Sequence, residues 1–323
     1  MKPIIQVENL VKTFKGNVQA VKGVSFDVAE GEFFSFLGPN GAGKSTTIQM
    51  ITTLLKPTSG KAEIAGFDVI NEPEQIRRVI GVALQETGID PQLTGRELLE
   101  LQGKLFGFPS SMARKRADEL LELVGLTEDA HRKCGKYSGG MRRRLDLALT
   151  LVQHPKVLFL DEPTTGLDPY NRKLIWEEIR FLNKEKGTTI FLTTQYLEEA
   201  DELADRISII NEGKIVASGT QENLKASIGK DVIDLAFTKE EEAMRASVIL
   251  EPLADDVKQS GANLRLFVEK ATAKLPEMIR LLDQELITPI SLNVSPPSLD
   301  DVFLNLTGHS IQSEKLKREE SFA

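Results

Sequence analysis

The sequence has few of the residues that build disulfide bonds, metal sites or membrane spans. Cys134 is the only cysteine, so the chain cannot form an internal disulfide, and this fits a reducing compartment. The three histidines, at positions 131, 154 and 309, lack the spacing of metal ligands. No segment approaches the ~18 apolar residues of a membrane-spanning helix, and the N-terminus enters a strand-like pattern without the core of a signal peptide. These absences favour a cytoplasmic location.

Excess basic charge is also lacking. The 323 residues carry a net charge of −8, and the sequence pI is near 5.2. No overall basic field therefore draws the chain to nucleic acid, although a local basic patch can still do so. The apolar fraction of 41% and the charged fraction of 27% are those of a globular protein. The length indicates about two domains of ~100–200 residues each.

A phosphate-binding loop is the first motif that the sequence does contain. The apolar run Phe33–Leu37 leads into Gly38–Ser45, which fits the Walker A pattern G-x-x-x-x-G-K-[ST]. Glycines let such a loop bring backbone N–H groups to phosphate oxygens. The helix predicted from about Lys44 to Leu55 presents the positive end of its dipole to the same anion. Lys44 can then reach the β- and γ-phosphates, and the Ser45 hydroxyl can bind Mg²⁺.

Two carboxylates follow a second buried strand. The apolar run Val157–Leu160 is typical of a parallel sheet, and Asp161 and Glu162 come directly after it. In a doubly wound sheet this strand end and the phosphate loop lie at the same edge. We expect Asp161 to hold Mg²⁺, directly or through water, and Glu162 to activate the attacking water as a general base.

A second glycine-rich turn lies upstream of that strand. Ser138 can cap the helix that follows, while Gly139 and Gly140 expose backbone N–H groups at its positive end. This arrangement predicts a second anion site that has no lysine. Arg142–Arg144 follow on the same helix and point in different directions around it, so they form no single patch for nucleic acid. We interpret them as a solvated face. The alternative is that one of these arginines lies near a nucleotide bound by a partner subunit.

The order of the predicted elements indicates an α/β core with a helical insertion. Strands at Val157–Leu160, Thr189–Thr193 and Arg206–Ile210 are separated by helical stretches, which predicts a doubly wound parallel sheet. From about residue 86 to 136, strand signals give way to helical periodicity.

A smaller domain is predicted to follow this core. Strand patterns recur at Val232–Phe237, Leu264–Val268 and Ile287–Val294, with helical stretches at Glu240–Leu250 and Lys274–Glu285. We therefore expect a small α+β domain of split βαβ type. Residues 310–323 are polar and charged, and we expect a mobile tail there.

Taken together, the motifs resemble those of an ATP-binding cassette (ABC) ATPase, the motor subunit of an ABC transporter. Gly38–Ser45 matches the family's Walker A, Val157–Glu162 its Walker B and Ser138–Gly140 its signature motif. The resemblance covers about residues 3 to 225. It implies a P-loop NTPase cassette over residues 1–225, with a parallel sheet core, an antiparallel β part and a helical subdomain at about 86–150. The C-terminal α+β domain would then be 226–309 and the tail 310–323.

The resemblance also implies roles for individual residues. Gln85 falls at the family's Q-loop, Thr165–Asp168 matches its D-loop, and Phe14 takes the place of the aromatic residue that contacts adenine. The implied nucleotide-binding residues are Phe14, Gly38, Asn40, Gly41, Gly43, Lys44, Ser45, Thr46, Gln85, Ser138, Gly139, Gly140 and Asp168. The implied metal ligands are Ser45, Gln85 and Asp161, and the implied catalytic residues are Lys44, Glu162 and Gln195.

The family implies ATP and Mg²⁺ as cofactors and a head-to-tail homodimer. Each ATP would lie between the Walker A loop of one copy and the Ser138–Gly140 loop of the other. Gln85 would sense Mg²⁺ and couple closure of the dimer to a separately encoded, multi-spanning permease that grips the helical insertion. The chain would then lie in the cytoplasm, on the inner face of the membrane, and no nucleic-acid partner is expected.

One position departs from the family pattern. The family usually has a histidine after the strand that follows Walker B, and here that position is Gln195. Its amide can donate a hydrogen bond but cannot carry a proton, so slow hydrolysis or a binding-only role would be a consequence. Gln195 and the C-terminal segment Pro296–Leu304 resemble the exporter ATPases typified by daunorubicin resistance, which favours a subfamily trait.

Three classes of function stay open at this point. The leading hypothesis is an ATPase that drives efflux of a drug-like hydrophobic compound, with lipid or glycan export as near alternatives. The second is an ABC ATPase that acts on DNA or ribosomes, which the compact insertion and the single Walker A motif disfavour. The third is a binding-only module, which Glu162 disfavours because an intact general base indicates turnover.

Overall fold

The computed structural model describes residues 3–85, 88–228 and 230–307, which form two compact units divided between Thr220 and Gln221. The strands of the first unit are β1 (Ile5–Phe14), β2 (Val18–Val28), β3 (Phe33–Leu37), β4 (Ser59–Ile64), β5 (Phe67–Asp68), β6 (Ile80–Ala83), β7 (Val157–Asp161), β8 (Thr189–Thr194), β9 (Arg206–Asn211) and β10 (Lys214–Gly219). Its helices are α1 (Lys44–Ile51), α2 (Pro73–Val79), α3 (Gly95–Leu105), α4 (Ser110–Leu123), α5 (Gly139–Thr150), α6 (Pro169–Lys184) and α7 (Leu197–Leu203).

Two sheets build the first unit. The larger has the order β10-β9-β3-β8-β7-β6, in which every pair is parallel except the edge pair β10-β9. The smaller sheet, β2-β1-β4-β5, is antiparallel throughout. The parallel sheet core with a separate antiparallel part, which the sequence predicted, is therefore confirmed.

Aromatic packing between the sheets fixes the strands that carry the phosphate loop. Phe26 of β2 contacts Phe34, Phe36 and Phe191 of the parallel sheet, with ring centroids 5.5–5.6 Å apart, and Phe159 extends the cluster. All five side chains are buried. Burial of each such side chain stabilises the fold by roughly 1.5–3 kcal/mol, so the strand ends beside the loop are held firmly.

The helical region packs on the opposite face of the parallel sheet. Leu98 of α3, Leu121 of α4 and Leu145 of α5 belong to one buried cluster with Leu158 and Leu160 of β7. Between residues 88 and 136 the described part of the chain has no strand longer than an isolated bridge, as predicted for a helical insertion. Glu86 and Thr87, where the insertion was expected to begin, lie outside the described residues.

The second unit contains four strands and four helices within its described residues. They are α8 (Gln221–Ile228), β11 (Asp231–Ala236), α9 (Glu240–Leu250), β12 (Asp256–Ser260), β13 (Asn263–Val268), α10 (Ala271–Gln284), β14 (Ser291–Ser295) and α11 (Leu299–Thr307). The sheet order is β12-β13-β11-β14, all antiparallel. From β11 to β14 the chain therefore follows the βαββαβ order of the split βαβ fold.

The segment Pro296–Leu304, which resembles that of the exporter ATPases, has a structural role in this unit. The Ser298 hydroxyl accepts a hydrogen bond from Asp301 N at 3.2 Å, and Asp301 Oδ2 accepts one from Ser298 N at 2.8 Å, so the two residues cap α11 reciprocally. Asp301 Oδ1 also accepts a hydrogen bond from Arg265 at 2.9 Å, which ties α11 to β13.

Two predicted boundaries were wrong. The helix after the phosphate loop ends at Ile51 rather than near Leu55, because Thr53 adopts a left-handed conformation with φ 66°. The last strand begins at Ser291 rather than Ile287, because Ile287 N bonds to Leu282 O and closes the end of α10. The tail predicted at 310–323 lies outside the described residues. No helix in the described ranges is both long and apolar enough to cross a membrane.

Candidate functional site

The phosphate loop connects β3 to α1 and is fixed from both sides. Gly38 N donates a hydrogen bond to Thr194 O at 3.1 Å, which anchors the loop to the end of β8. Gly43 has φ 105°, and a Cβ atom there would lie 2.6 Å from Ala20 O. A larger residue at position 43 would therefore strain the backbone and collide with β2. The loop is built for close packing.

Lys44 is buried and points into the loop. Its Nζ donates hydrogen bonds to Gly38 O at 2.8 Å and Pro39 O at 3.0 Å. The same nitrogen lies 3.0 Å from Glu162 Oε1, and the two side chains are only 3% and 4% exposed. Burial of this pair depends on both charges, since removing either would leave the other uncompensated. The predicted phosphate-binding lysine and the predicted general base are thus in direct contact.

Ser45 and Asp161 also meet at this edge of the sheet. Ser45 Oγ donates a hydrogen bond to Asp161 Oδ1 at 3.1 Å, and Thr193 Oγ1 donates to the same carboxylate oxygen. Burial raises the pKa of Asp161, while these two hydrogen bonds act in the opposite direction. A hydroxyl and a carboxylate side by side are oxygen donors of the kind that Mg²⁺ prefers.

Glu162 has an unusual backbone conformation that its neighbours maintain. Its φ is 48°, in the left-handed region that non-glycine residues rarely adopt. Glu162 N donates to Thr193 O at 3.0 Å, which holds the backbone against β8. The carboxylate oxygen Oε2 accepts hydrogen bonds from Thr165 Oγ1 at 3.2 Å and Gln195 Nε2 at 3.3 Å. Gln195, at the position where a histidine was expected by family resemblance, therefore contacts the predicted base.

The second glycine-rich turn lies at the beginning of α5, where the sequence placed it. The Ser138 side chain accepts a hydrogen bond from Met141 N at 3.2 Å, which is the predicted helix cap. A Cβ atom at Gly140 would lie 2.5 Å from Asn171 Oδ1, so this turn packs closely against the first turn of α6. Asp168 caps α6 by accepting a hydrogen bond from Asn171 N at 3.0 Å. Ser138 and Gly139 are exposed.

The remaining predicted site residues occupy several positions. Asn40 and Gly41 are exposed in the phosphate loop, and Thr46 is half-buried in the first turn of α1. Gln85 is exposed just after β6, and Phe14 is 43% exposed at the end of β1 with Lys12 Nζ 5.4 Å from its ring centroid.

Arg143 is a residue that the sequence interpretation misplaced. The solvated face proposed for Arg142–Arg144 is wrong at this position, because Arg143 is only 7% exposed. Its guanidinium donates hydrogen bonds to the carbonyls of Leu84 at 2.6 Å, Pro163 at 2.7 Å and Asp161 at 3.2 Å. Burial lowers the pKa of Arg143, and the Asp146 carboxylate counteracts this. Only tertiary structure brings these acceptors together.

A buried glutamate beneath the site was also missed. Glu199 Oε1 accepts hydrogen bonds from Thr164 Oγ1 at 2.8 Å and from Trp176 Nε1 at 2.9 Å. Glu199 lies on α7, just after Gln195, and burial raises its pKa. It links α7 and α6 to the turn that follows Glu162. Glu199 stands next to Glu198 in the first turn of α7, and nothing in the local sequence distinguishes it as buried.

The family model described as "ABC transporter" matches residues 21–165, and the model "ATP-binding protein DrrA1-3-like, C-terminal domain" matches residues 219–307. The first match lies within the first unit, and the second covers the described part of the second unit.

Several curated proteins are similar over nearly their whole length. Daunorubicin resistance ATP-binding protein DrrA2 of Streptomyces coeruleorubidus is 42% identical over 97% of this chain and 98% of its own. Daunorubicin/doxorubicin resistance ATP-binding protein DrrA of Streptomyces peucetius is 41% identical, with 99% and 98% covered. Linearmycin resistance ATP-binding protein LnrL of Bacillus subtilis is 38% identical, with 96% and 100% covered.

Solved structures agree with this relationship. The dimeric post-hydrolysis state of the ATP-binding cassette MJ0796, bound to ADP and phosphate, has a TM-score of 0.62 and is 30% identical, covering 67% of this chain and 98% of that one. The chain therefore belongs to the ABC transporter family, among the nucleotide-binding ATPases typified by the daunorubicin resistance proteins.

Proposed function

We propose that this chain is the ATP-hydrolysing subunit of an exporter and drives efflux of a drug-like hydrophobic compound through a separate membrane protein. The observation that carries the proposal is the contact of Ser45 with Asp161 beside the buried pair of Lys44 and Glu162, all at one edge of the sheet. The similarity to ATP-binding proteins named for resistance to daunorubicin, doxorubicin and linearmycin supports the class of compound.

The residues present fit a nucleotide with Mg²⁺. Backbone N–H groups of the phosphate loop and of the first turn of α1 would bind the phosphates, and Lys44 would exchange its carbonyl partners for phosphate oxygens. Ser45 and Asp161 would hold Mg²⁺, with Gln85 as a further ligand. When bound, Mg²⁺ neutralises charge on the β- and γ-phosphate oxygens. Phe14 would stack on the adenine, for which its exposed ring is available.

Glu162 is proposed as the general base and Gln195 as its companion. The Glu162 carboxylate would accept a proton from the attacking water once Lys44 has moved to the phosphates. Gln195 Nε2, 3.3 Å from Glu162 Oε2, would keep this carboxylate oriented. Because an amide cannot take up a proton, all proton transfer in this arrangement falls to Glu162.

Two copies are proposed to complete each nucleotide site. The exposed Ser138–Gly139 segment at the positive end of α5 would meet the γ-phosphate held by the Gly38–Ser45 loop of a second copy. Asp168, which caps α6 beside this turn, would lie at the same junction. The dimeric MJ0796 cassette, to which this chain is similar, supports a dimer, which we propose to be head-to-tail. ATP would then favour the closed dimer, and hydrolysis would release it.

A cavity of about 380 Å³ is proposed as the docking place for the membrane partner. Its walls come from both the core and the helical region, including Ile80 and Leu84 beside β6, Phe106 after α3, and Asp146 and Leu149 of α5. A short helix of the permease in this cavity would hold the chain at the inner face of the membrane. The mixed apolar and polar lining suits an amphipathic helix.

Affinity capture of the full chain from its native membranes tests the proposal. One multi-spanning membrane protein should co-purify, and the pair in vesicles should hydrolyse ATP and accumulate a fluorescent anthracycline in an ATP-dependent manner. Capture of ribosomes or DNA-processing proteins without any membrane protein would contradict it. Transport of a lipid or glycan but not of the anthracycline would keep the transporter and overturn the substrate class.

A further inference from the structure

Arg143 is placed where three parts of the first unit meet. It projects from α5, five residues after Ser138, and its guanidinium is buried. Two of its acceptors, Asp161 O and Pro163 O, belong to the residues directly before and after Glu162. The guanidinium therefore holds the backbone on both sides of the proposed base.

The backbone at Glu162 needs such support. With φ at 48°, this residue occupies a conformation that costs about 1 kcal/mol or more unless neighbouring contacts maintain it. Thr193 supports the Glu162 N–H from β8, and Arg143 supports the flanking carbonyls from α5. Loss of the second support would let the carboxylate move although β7 stayed in place.

The other acceptors of Arg143 belong to residues that line the cavity. The Leu84 carbonyl, 2.6 Å from Nη1, immediately precedes Gln85, and Asp146 Oδ2 lies 3.1 Å from the same nitrogen. Leu84 and Asp146 both line the 380 Å³ cavity between the core and the helical region. The Arg143 guanidinium thus contacts both the wall of this cavity and the backbone on either side of Glu162.

We propose that Arg143 is a positioning residue that sets the orientation of Glu162 according to the position of the cavity wall at Leu84 and Asp146. This inference rests on the proposed ATPase function and adds a route by which an occupant of the cavity regulates hydrolysis. A shift of the Leu84 carbonyl or the Asp146 carboxylate moves the guanidinium, and its remaining hydrogen bonds carry that movement to Asp161 and Pro163. The planar fork of arginine is needed, because a lysine ammonium cannot reach four acceptors in these directions.

Substitution by lysine separates positioning from charge. In the purified full chain, Arg143→Lys should lower kcat for Mg-ATP by about tenfold to hundredfold, since a displacement of about 1 Å at a reacting group costs about that much. The dissociation constant for Mg-ADP should stay within about twofold of the wild-type value, because Arg143 touches none of the proposed nucleotide ligands' side chains.

The neighbouring arginine supplies a matched control. Arg144 lies on the same helix and donates a hydrogen bond to Val124 O at 2.8 Å inside the helical region. Arg144→Lys removes a comparable structural hydrogen bond without touching the residues beside Glu162, and it should leave kcat within about twofold. An equal fall in kcat for both variants would overturn the proposal, because a general loosening of α5 would then explain it.

A double-variant comparison shows whether Arg143 acts through Glu162. In the Glu162→Gln background, adding Arg143→Lys should lower the residual kcat no further, since the group being oriented is already lost. A further tenfold loss in that background would contradict the proposal.

Asp146→Asn provides a second variant if Arg143→Lys does not fold. It keeps the side-chain shape but weakens the contact at the cavity wall, and a fall in kcat of about threefold to tenfold without loss of Mg-ADP affinity is expected. Unchanged kcat would overturn the proposal. If the wild-type chain itself shows no hydrolysis, the proposed function fails first; if it hydrolyses ATP and the Arg143 and Asp146 variants match it, only this inference fails.

Discussion

The ion pair between Lys44 and Glu162 predicts that loss of the proposed base tightens nucleotide binding. Lys44 Nζ lies 3.0 Å from Glu162 Oε1, in a setting where both side chains are almost fully buried. To reach a phosphate, the ammonium must give up this contact. A hydrogen bond between charged groups contributes about 1.5–3 kcal/mol, and a neutral one about 1 kcal/mol. Glu162→Gln should therefore release about 1–2 kcal/mol and tighten binding by roughly 5–30-fold.

Mg-ADP is the suitable ligand for this test because it has no γ-phosphate, so no hydrolysis occurs during the titration. Isothermal titration calorimetry on the full chain should give a lower dissociation constant for Glu162→Gln than for wild type. Glu122→Gln is the matched control, since Glu122 is exposed on α4 and the substitution removes the same charge far from Lys44. Unchanged or weaker Mg-ADP binding by Glu162→Gln would refute the view that the ion pair competes with the nucleotide.

Four further substitutions have defined outcomes. Burial raises the pKa of Glu178 to about 7 from 4.5, so the folded state binds this proton more tightly and wild type should lose stability as the pH rises from 4.5 to 7. In urea unfolding, Glu178→Gln should have the same free energy of unfolding as wild type near pH 4.5 and a value up to about 3 kcal/mol higher at pH 8. Equal free energies of unfolding for the two proteins at both pH values would contradict this. Ser138→Ala should cost about 1 kcal/mol of unfolding free energy through loss of the helix cap, and an unchanged urea midpoint would count against that cap. Gly43→Ala should weaken Mg-ADP binding at least about tenfold, because the φ of 105° at Gly43 and the nearby Ala20 carbonyl leave no room for a Cβ. Gly139 has open space around it, so the monomeric Gly139→Ala variant should bind Mg-ADP as wild type does.

The phosphate loop and the strand-end carboxylates could be predicted because their signals are local. Gly38–Ser45 carries its own backbone requirements, and an apolar run followed by Asp161 and Glu162 can only end a buried strand at its carboxyl edge. The parallel sheet, in which β8 lies between β3 and β7, then brings Lys44 and Glu162 together at one edge. For these residues, sequence and topology suffice.

The environment of Arg143 could not be predicted in the same way. Three adjacent arginines on a helix resemble a solvated face, but in the structure Arg142 is exposed, Arg144 is half-buried and Arg143 is buried. Arg143 is buried because carbonyls from two distant strand ends, at Leu84 and Pro163, converge on α5. That convergence depends on the packing of the helical region against the parallel sheet, which hydrophobic periodicity does not specify.

The end of α10 shows another limit of local patterns. Ile287 is apolar and β-branched, so it was assigned to the last strand, yet it is buried against α10 and closes that helix. Leu286, with φ 58°, reverses the chain in a conformation usually taken by glycine or asparagine. A branched apolar residue beside a helix end satisfies strand and cap patterns equally well, and tertiary packing decides between them.

Phosphate release from Mg-ATP by the purified full chain is the decisive assay for hydrolysis at the Lys44–Glu162 site. Release should depend on Mg²⁺, fall by about 10²–10⁴-fold in Glu162→Gln and stay at the wild-type level in Glu122→Gln. Wild-type release no faster than that of Glu162→Gln would show instead that the buried cluster of Lys44, Asp161 and Glu162 binds nucleotide without hydrolysing it.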